Sequence, residues 1–443
     1  MMSPWLASLI FFSVLALLFS SQIFWFWRAR RLLRARPERW QRWLLGVPLY
    51  AWFIGLLAMF LLLPVRWWLA GDAPVLVSLF AFFRRPVVMV PVGLWMTASL
   101  FSFVLIALVQ GIGLLARIPK LFQRSSGAEA PALPERRYFL QTATYAAGAL
   151  PFVMAGYGFF LGRQRYTVEE VDVHIANLPE GLDGLRLLQL TDVHASAYMP
   201  PREITRVVGL ARELAPDLVF HTGDFITGPT DPLAPAVAEL ARVEGRYGGF
   251  GCLGNHEIYA GATEAATELF ARRGVRILRR ENVTLDINGA RLNLIGVDYE
   301  RQPRGRRPQD STDRFLRGVE LLMRPDAVNI LLTHNPNPFL RAAELGIELT
   351  LAGHTHGGQV QVEILDHRWS PARFITPFIR GLYSLPAAGA AGLNYESRPL
   401  SAKHDARGTK HALLYVSPGI GTVGAPIRLN APPEITLLTL RRA

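Results

Sequence analysis

The chain has 443 residues, which is more than one ordinary domain contains, and half of these residues are hydrophobic. Its positive mean hydropathy of +0.21 is unusual for a purely soluble protein, and its single cysteine, Cys252, excludes an internal disulfide. The formal net charge of +12 comes without a basic module interleaved with aromatic residues, so nucleic acid is not the predicted partner.

The first predicted elements are four uncharged stretches, each longer than the roughly 20 residues that a helix needs to cross a bilayer. They are Trp5–Trp27, Leu44–Val65, Val87–Ala116 and Tyr138–Gly162. We expect all four to span a membrane, because backbone groups in lipid are satisfied within helices. Basic residues follow the first stretch instead of preceding it, which favours a retained anchor over a cleaved signal peptide. The uncharged segment Ala73–Phe83 is too short to span and is expected to be interfacial or re-entrant.

Arginine counting predicts the orientation of these helices. Seven arginines and one glutamate lie between residues 28 and 42, so this loop is expected in the cytoplasm together with the basic segment 117–137. Everything after the fourth helix would then lie on the outer side of the membrane. Arg84 and Arg85 disagree with this topology, and a crossing through Ala73–Phe83 would reverse it.

A change in composition predicts the domain boundaries. We expect a transmembrane region over residues 1–116, a cytoplasmic linker over 117–137, a last transmembrane helix over 138–162 and a globular domain over 163–443. The pair Arg136-Arg137 before the last helix fits either a twin-arginine export signal or ordinary cytoplasmic arginines.

The globular part begins with a strand–helix–strand pattern in Leu185–Thr191, Arg202–Leu214 and Asp217–Thr222, which predicts an α/β domain. Further predicted strands are Leu292–Val297, Val328–Thr333, Glu348–Ala352, His411–Ser417 and Ile435–Arg441.

Five polar motifs stand at or just beyond these strand ends. They are LLQLTDVHA with Asp192 and His194, DLVFHTGDF with Asp224, LGNHE with Asn255 and His256, ILLTHN with His334, and LAGHTHGGQ with His354 and His356. Each motif alone is weak, since a histidine after a strand is usually structural. Their joint occurrence predicts one metal site. Residues two apart on an extended chain share a face, so Asp192 and His194 are expected to point at one centre.

The predicted ligands are carboxylates, imidazoles and an amide, which suit Mn²⁺, Fe²⁺ or Zn²⁺. The absence of thiolates argues against a structural zinc cage. The ligands are too numerous for one ion, so we expect two divalent ions about 3.5–4 Å apart with Asp224 as the bridge, an arrangement that serves phosphoester cleavage. Glycines such as Gly254 and Gly353 are expected to permit tight turns and to leave room for metals and substrate.

These motifs, together with the tail SPGIGTVGAPIRLNAPPEITLLTL, resemble the calcineurin-like metallophosphoesterase family and its bacterial membrane-anchored branch. The resemblance covers nearly all of Leu185–Leu440. It implies a four-layer α/β/β/α fold, in which two packed β-sheets are flanked by helices, and it makes residues 163–443 a metallophosphoesterase domain.

The resemblance also implies a role for each site residue. One metal would be held by Asp192, His194, Asp224 and His356, and the other by Asp224, Asn255, His334 and His354. His256 would bind neither metal and would act as the catalytic residue that contacts the phosphate and helps to protonate the leaving group.

The predicted activity is hydrolysis of a phosphodiester or pyrophosphate bond by in-line attack of a hydroxide that bridges the two metals. A lipid-linked envelope substrate is inferred from location alone, and no protein partner is predicted. Two alternatives remain open: a phosphomonoesterase acting on small molecules, and a non-catalytic metal-binding membrane scaffold.

Other polar residues near the motifs have less specific predictions. His221 and Cys252 are expected in the core. Glu257 and Asn335 are expected to hydrogen-bond a site histidine, and Arg428 is expected to contact a phosphate or to form an ordinary salt bridge.

Overall fold

The computed structural model describes residues 4–68, 85–115, 134–299, 314–364, 367–374, 376–386 and 411–443. The chain divides into two compact units, Met2–Phe159 and Phe160–Ala443. The segment Ala73–Phe83 and most of the predicted linker lie outside the described residues, so the predictions made for them stay predictions.

Four long apolar helices form the N-terminal unit. They are α1 (Pro4–Arg34), α2 (Arg39–Trp68), α3 (Pro86–Leu115) and α4 (Pro134–Phe160). Stretches of 23, 21, 30 and 27 residues at these helices are long and apolar enough to cross a bilayer. The four predicted spans are therefore matched by four helices, although α4 begins inside the segment that was predicted as linker.

Side-chain hydrogen bonds join three of these helices. Gln22 of α1 donates to Ser99 Oγ of α3 over 3.1 Å and accepts from Trp95 Nε1 over 2.8 Å. Ser102 of α3 donates to the carbonyl of Gly148 in α4 over 2.7 Å. Because an apolar environment offers these groups no water, such bonds hold the helices together.

The C-terminal unit is built from short strands and helices that alternate along much of the chain. The strands are β1 (Thr167–Ile175), β2 (Arg186–Leu190), β3 (Leu218–Thr222), β4 (Gly249–Cys252), β5 (Val275–Ile277), β6 (Glu281–Ile287), β7 (Ala290–Gly296), β8 (Val328–Leu332), β9 (Leu349–Ala352), β10 (Val362–Ile364), β11 (His367–Trp369), β12 (Gly381–Pro386), β13 (His411–Val416) and β14 (Glu434–Arg442). The helices are α5 (Pro201–Glu213), α6 (Leu233–Leu240), α7 (Asn255–Ala260), α8 (Thr263–Ala271) and α9 (Phe339–Leu345).

The described strands form two six-stranded mixed sheets and one small hairpin. The first sheet has the order β1-β14-β2-β3-β4-β5 and the second the order β12-β13-β9-β8-β7-β6. In the first sheet β2 to β5 run parallel, and in the second β13, β9, β8 and β7 do. The parallel strands therefore end on the same edge of each sheet, and the polar motifs follow these ends.

Alternating side chains of these strands build the four layers. Leu187 and Phe220 of the first sheet pack against Leu294 and Ile330 of the second. Leu188, the next residue after Leu187 in β2, points to the opposite face of the first sheet and packs against the helices, which include α5. The second sheet packs its outer face against α9 in the same way. This arrangement confirms the predicted fold class, two packed sheets flanked by helices.

Candidate metal centre

The strand ends bring seven of the eight predicted site residues into close contact. Asp192 and His194 follow β2, Asp224 follows β3, His334 follows β8, and His354 and His356 follow β9, while Asn255 and His256 begin α7 directly after β4. Ligand atoms fall into three groups whose members lie within 4.8 Å of one another. These groups are Asp192 with His194 and His356, His194 with Asp224 and His256, and Asp224 with His334 and His354. Asn255 lies beside them and is buried.

The first group is centred on two imidazoles. His194 Nε2 lies 3.1 Å from His356 Nε2, and His356 Nε2 lies 3.3 Å from Asp192 Oδ1. All three side chains are buried. Two ring nitrogens and a carboxylate oxygen thus face one small volume.

The second group is centred on the other carboxylate. Asp224 Oδ2 lies 3.0 Å from His334 Nε2, and His334 Nε2 lies 3.2 Å from His354 Nδ1. The same Oδ2 lies 3.5 Å from His194 Nε2, which belongs to the first group. Asp224 therefore stands between the two sets of donors.

An unusual backbone conformation directs these side chains inward. Asp192, His194, Asp224, His354 and His356 all have left-handed φ angles, of 51°, 48°, 55°, 74° and 53°. Few residues other than glycine adopt this conformation, and it costs energy. The two side chains of the Asp192 motif converge through these kinks. The extended chain assumed from the sequence is wrong there, although the side chains do converge.

Two glycines let protein atoms approach the centre closely. A Cβ on Gly254 would lie 2.1 Å from Asp224 Oδ1, and a Cβ on Gly353 would lie 2.2 Å from Asp192 Oδ2. The space beside these glycines is thus filled by the carboxylates. The expectation that they keep room for metals and substrate is wrong for these two positions.

Two backbone carbonyls and one side-chain hydroxyl orient three of the rings. His334 Nδ1 lies 2.7 Å from the carbonyl of Thr222, and His256 Nδ1 lies 2.7 Å from the carbonyl of Thr227. His194 Nδ1 lies 3.2 Å from Thr227 Oγ1. A carbonyl accepts only from N–H, so Nδ1 carries the proton in His334 and His256. In a neutral ring, Nε2 then presents a lone pair.

Burial and the two carboxylates set the charge of the centre. Burial lowers the pKa of His194 to about 3 and that of His356 well below its ordinary value. Burial also lowers the pKa of His334, but Asp224 and Asp192 outweigh this effect and raise it to about 10. The carboxylates therefore attract positive charge, while the first group offers neutral ring nitrogens.

The residues present fit divalent metal ions. Among the described residues, Asn255 Oδ1 and His356 Nδ1 are buried atoms without a hydrogen-bond partner, and such atoms are costly unless something binds them. An amide oxygen, imidazole nitrogens and carboxylate oxygens together form a donor set suited to first-row ions. A cation would complete the partners of Asn255 Oδ1.

Glu257 supports the centre in a way that the sequence did not indicate. Its Oε2 accepts from the backbone N–H groups of Asp224 and Gly254, each over 2.9 Å, and its Oε1 accepts from Phe225 N over 2.8 Å. The predicted partner, a site histidine, is wrong, because the carboxylate accepts from backbone N–H groups instead. This carboxylate holds the kinked segment that carries Asp224.

Arg428 has a structural role, and neither predicted role is correct. The buried guanidinium donates to backbone carbonyls of Pro418, Gly419, Gly421 and Ala431, over 2.8, 3.0, 3.0 and 3.1 Å. The loop that it holds also contacts the Asp192 motif.

The contact between this loop and the motif is made by backbone groups. Gly421 N donates to the carbonyl of Asp192 over 2.7 Å, and Ile420 N donates to that of Thr191 over 3.1 Å. The tail of the chain therefore braces a residue that lies more than 200 positions earlier.

The remaining candidates lie outside the centre's donor set. His221 is buried beside Phe270, with ring centroids 5.2 Å apart, and Cys252 is buried too, as expected for core residues. Asn335 Oδ1 accepts from Asn337 N over 2.9 Å, so this side chain caps a turn. Thr222 and Thr227 were not singled out from the sequence, because their contacts to His334 and His256 are made by backbone carbonyls, which carry no sequence signal.

Comparison with known proteins gives the family. A profile of calcineurin-like phosphoesterases matches residues 185–358. The chain is 30% identical to a transmembrane protein with metallophosphoesterase domain from Danio rerio, over 75% of this chain and 69% of that one. It is 29% identical to the uncharacterized metallophosphoesterase YkuE of Bacillus subtilis, over 69% and 97% of the two chains. It is 25% identical to the phosphodiesterase YaeI of Escherichia coli, over 69% and 98%.

The matched segment contains all eight predicted site residues and ends before the Arg428 loop. Four apolar helices precede it, in keeping with the transmembrane relative. The chain belongs to the calcineurin-like phosphoesterase family and is a metal-dependent phosphoester hydrolase in a membrane protein.

Proposed function

We propose that this centre holds two divalent ions and hydrolyses a phosphodiester or pyrophosphate bond. The observation that carries the proposal is the position of Asp224 Oδ2, 3.5 Å from His194 Nε2 and 3.0 Å from His334 Nε2. One carboxylate oxygen thus faces both donor sets.

The proposed ligands of the two ions are those that the family resemblance implies. Asp192, His194, Asp224 and His356 would hold one ion, and Asp224, Asn255, His334 and His354 the other. Mn²⁺, Fe²⁺ and Zn²⁺ suit these ligands. When bound, such ions lower the pKa of water and neutralise charge on phosphoryl oxygens.

His256 is the proposed catalytic residue. Its Nδ1–H is held by the carbonyl of Thr227, and its backbone N–H donates to Asp224 Oδ1 over 2.9 Å. Its ring is half-buried, whereas the rings of His194, His334 and His356 are buried. With Nδ1–H engaged in this way, the ring can donate a proton or a hydrogen bond to the leaving oxygen from Nε2 when it is doubly protonated.

The membrane helices guide the proposed location and substrate. The seven arginines between residues 28 and 42 favour a cytoplasmic loop between α1 and α2. We propose that the hydrolase domain, residues 163–443, lies outside a bacterial inner membrane, in the membrane-anchored branch of the family, where a lipid-linked phosphoester is the substrate. Reporter fusions after Ala443 test the orientation, since an extracytoplasmic terminus activates alkaline phosphatase.

A substrate panel tests the activity. Full-length protein with added Mn²⁺ should cleave bis-p-nitrophenyl phosphate faster than p-nitrophenyl phosphate, and phospholipid and pyrophosphate substrates extend the comparison. The Asp224→Ala protein provides the background rate. Faster cleavage of the monoester would identify a phosphomonoesterase. Binding of Mn²⁺ without cleavage of any phosphoester would identify a scaffold.

A further inference from the structure

Within the part of the chain that the structure describes, His256 and His354 are the site residues that retain solvent exposure. Six of the eight site residues are buried, with Asp192, His194, Asp224, Asn255, His334 and His356 each at most 6% exposed. The rings of His256 and His354 are half-buried. Of the eight site residues, these two are therefore the most accessible to the part of a substrate that extends beyond its phosphoryl group.

Two tyrosines lie near these two histidines. The ring of Tyr259 lies 6.1 Å from that of His256, and the ring of Tyr299 lies 6.2 Å from that of His354. Tyr259 is 50% exposed, and Tyr299 is half-buried. His256 and His354 thus each have a tyrosine beside them.

The two tyrosines form one unit. Tyr259 Oη donates to Tyr299 Oη over 3.4 Å, and their rings lie 6.2 Å apart, edge to face. Tyr299 also packs edge to face against the buried Phe315, with centroids 5.4 Å apart. Phe315 therefore supports the pair on its buried side. The exposed part of the two rings lies next to His256 and His354.

We infer that Tyr259 and Tyr299 line a subsite for an ester substituent that carries a flat ring. This inference rests on the proposed function, because it concerns the organic group of the same phosphoester. Aromatic side chains bind flat rings by stacking or edge contacts, and the phenol hydroxyls add hydrogen-bonding capacity at the rim. Small substituents such as methyl would leave this surface uncovered.

Binding of two phosphonates that differ only in their substituent tests the subsite. Calorimetry on Mn²⁺-loaded full-length protein gives the Kd of phenylphosphonate and of methylphosphonate. We expect the phenyl compound to bind about tenfold more tightly, as for a ring stacked on an aromatic side chain. Tyr259→Ala and Tyr299→Ala should bring this ratio close to one without changing the Kd of methylphosphonate. Tyr259→Phe should retain most of the preference.

Tyr247 supplies the matched control, because it precedes β4 whereas the metal centre follows that strand. Tyr247→Ala should leave the ratio at its wild-type value. The inference is overturned by a wild-type ratio near one, by a ratio that Tyr259→Ala does not change, or by equal weakening of both phosphonates in that variant. Because this measurement needs no turnover, hydrolysis of bis-p-nitrophenyl phosphate separately decides the proposed function.

Discussion

His194 and His356 face each other with their Nε2 atoms 3.1 Å apart in a buried pocket of the fold. Their pKa values are lowered by burial, so both rings are neutral near pH 7. Neutral ring nitrogens at this separation, beside Asp192, make a favourable site for a cation. The geometry links the stability of the fold to the metal.

Removal of metal should therefore destabilise the protein as well as inactivate it. A ligand present at about a thousand times its Kd stabilises a fold by about 4 kcal/mol, so a strong chelator should lower the unfolding temperature by about 10 °C. Differential scanning fluorimetry measures this shift. Chelator saturated with Zn²⁺ beforehand is the control, and an unchanged unfolding temperature after verified metal loss would contradict the prediction.

Asp224→Ala should abolish turnover and metal content together. It removes the carboxylate oxygen that lies between His194 and His334. Loss of even an outer-shell partner weakens metal binding by about 10–100-fold, so loss of this group should exceed about a hundredfold. Elemental analysis of the purified variant measures the metal content. Full metal content in an inactive variant would show that Asp224 is not a shared ligand.

His256→Ala should separate catalysis from metal binding. The ring is proposed to act on the leaving group, and proton transfer of this kind contributes about 10²–10⁴-fold to a rate. We expect the metal content to be retained and kcat to fall within that range. Asp224→Ala, incubated with the same concentration of Mn²⁺, is the control for loss of metal. A fully active variant, or one that has lost its metal, would refute this role.

Glu257→Gln should destabilise the centre without removing a proposed ligand. The Glu257 carboxylate now accepts hydrogen bonds from the backbone N–H groups of Asp224, Gly254 and Phe225. The NH₂ group of a glutamine would face at least one of these donors and could not accept its hydrogen bond. Unsatisfied buried donors cost about 1–3 kcal/mol, and displacement of Asp224 should lower kcat as well. Glu268→Gln, at an exposed ion pair with Arg272, should change the unfolding free energy by less than about 1 kcal/mol. Equal effects of the two changes would contradict the role of Glu257 in holding the segment that carries Asp224.

Arg428→Met should unfold or loosen the tail loop that braces Asp192. At least four backbone carbonyls would lose this donor, and a buried acceptor left unsatisfied costs about 1–3 kcal/mol. Arg428→Lys should recover part of the stability, because lysine retains the charge and offers three donors where arginine offers five. Thermal unfolding measures both variants. Arg441→Met, which removes an exposed ion pair with Asp172, should have little effect and serves as the control.

The elements that the sequence predicted well are those with a local signal. The strands predicted at Leu185–Thr191 and Val328–Thr333 appear as β2 and β8, within one residue at each end. The long apolar stretches appear as helices because their composition suits no other local structure. Edge strands such as β1 and β6 were not predicted, since half of their side chains are polar or exposed and the apolar pattern is weak.

The site was accessible from the sequence for a related reason. Parallel strands end on one edge of a sheet, and polar motifs that follow buried strands therefore meet there. The roles of Glu257 and Arg428 were not accessible. Both side chains bind backbone atoms, and the identity of those atoms depends on which loops the fold brings together.

The sequence alone determined the membrane-spanning character of the N-terminal helices, the α/β alternation and the set of side chains available to a metal. Each of these follows from composition, periodicity or spacing over a few residues. Only the tertiary structure decided the left-handed kinks at Asp192 and Asp224 and the position of Asp224 between two groups of donors. It also decided that the C-terminal loop at Gly421 hydrogen-bonds the backbone of the Asp192 motif. These features depend on contacts between segments far apart in the chain, whose geometry follows from the order of strands in the sheets.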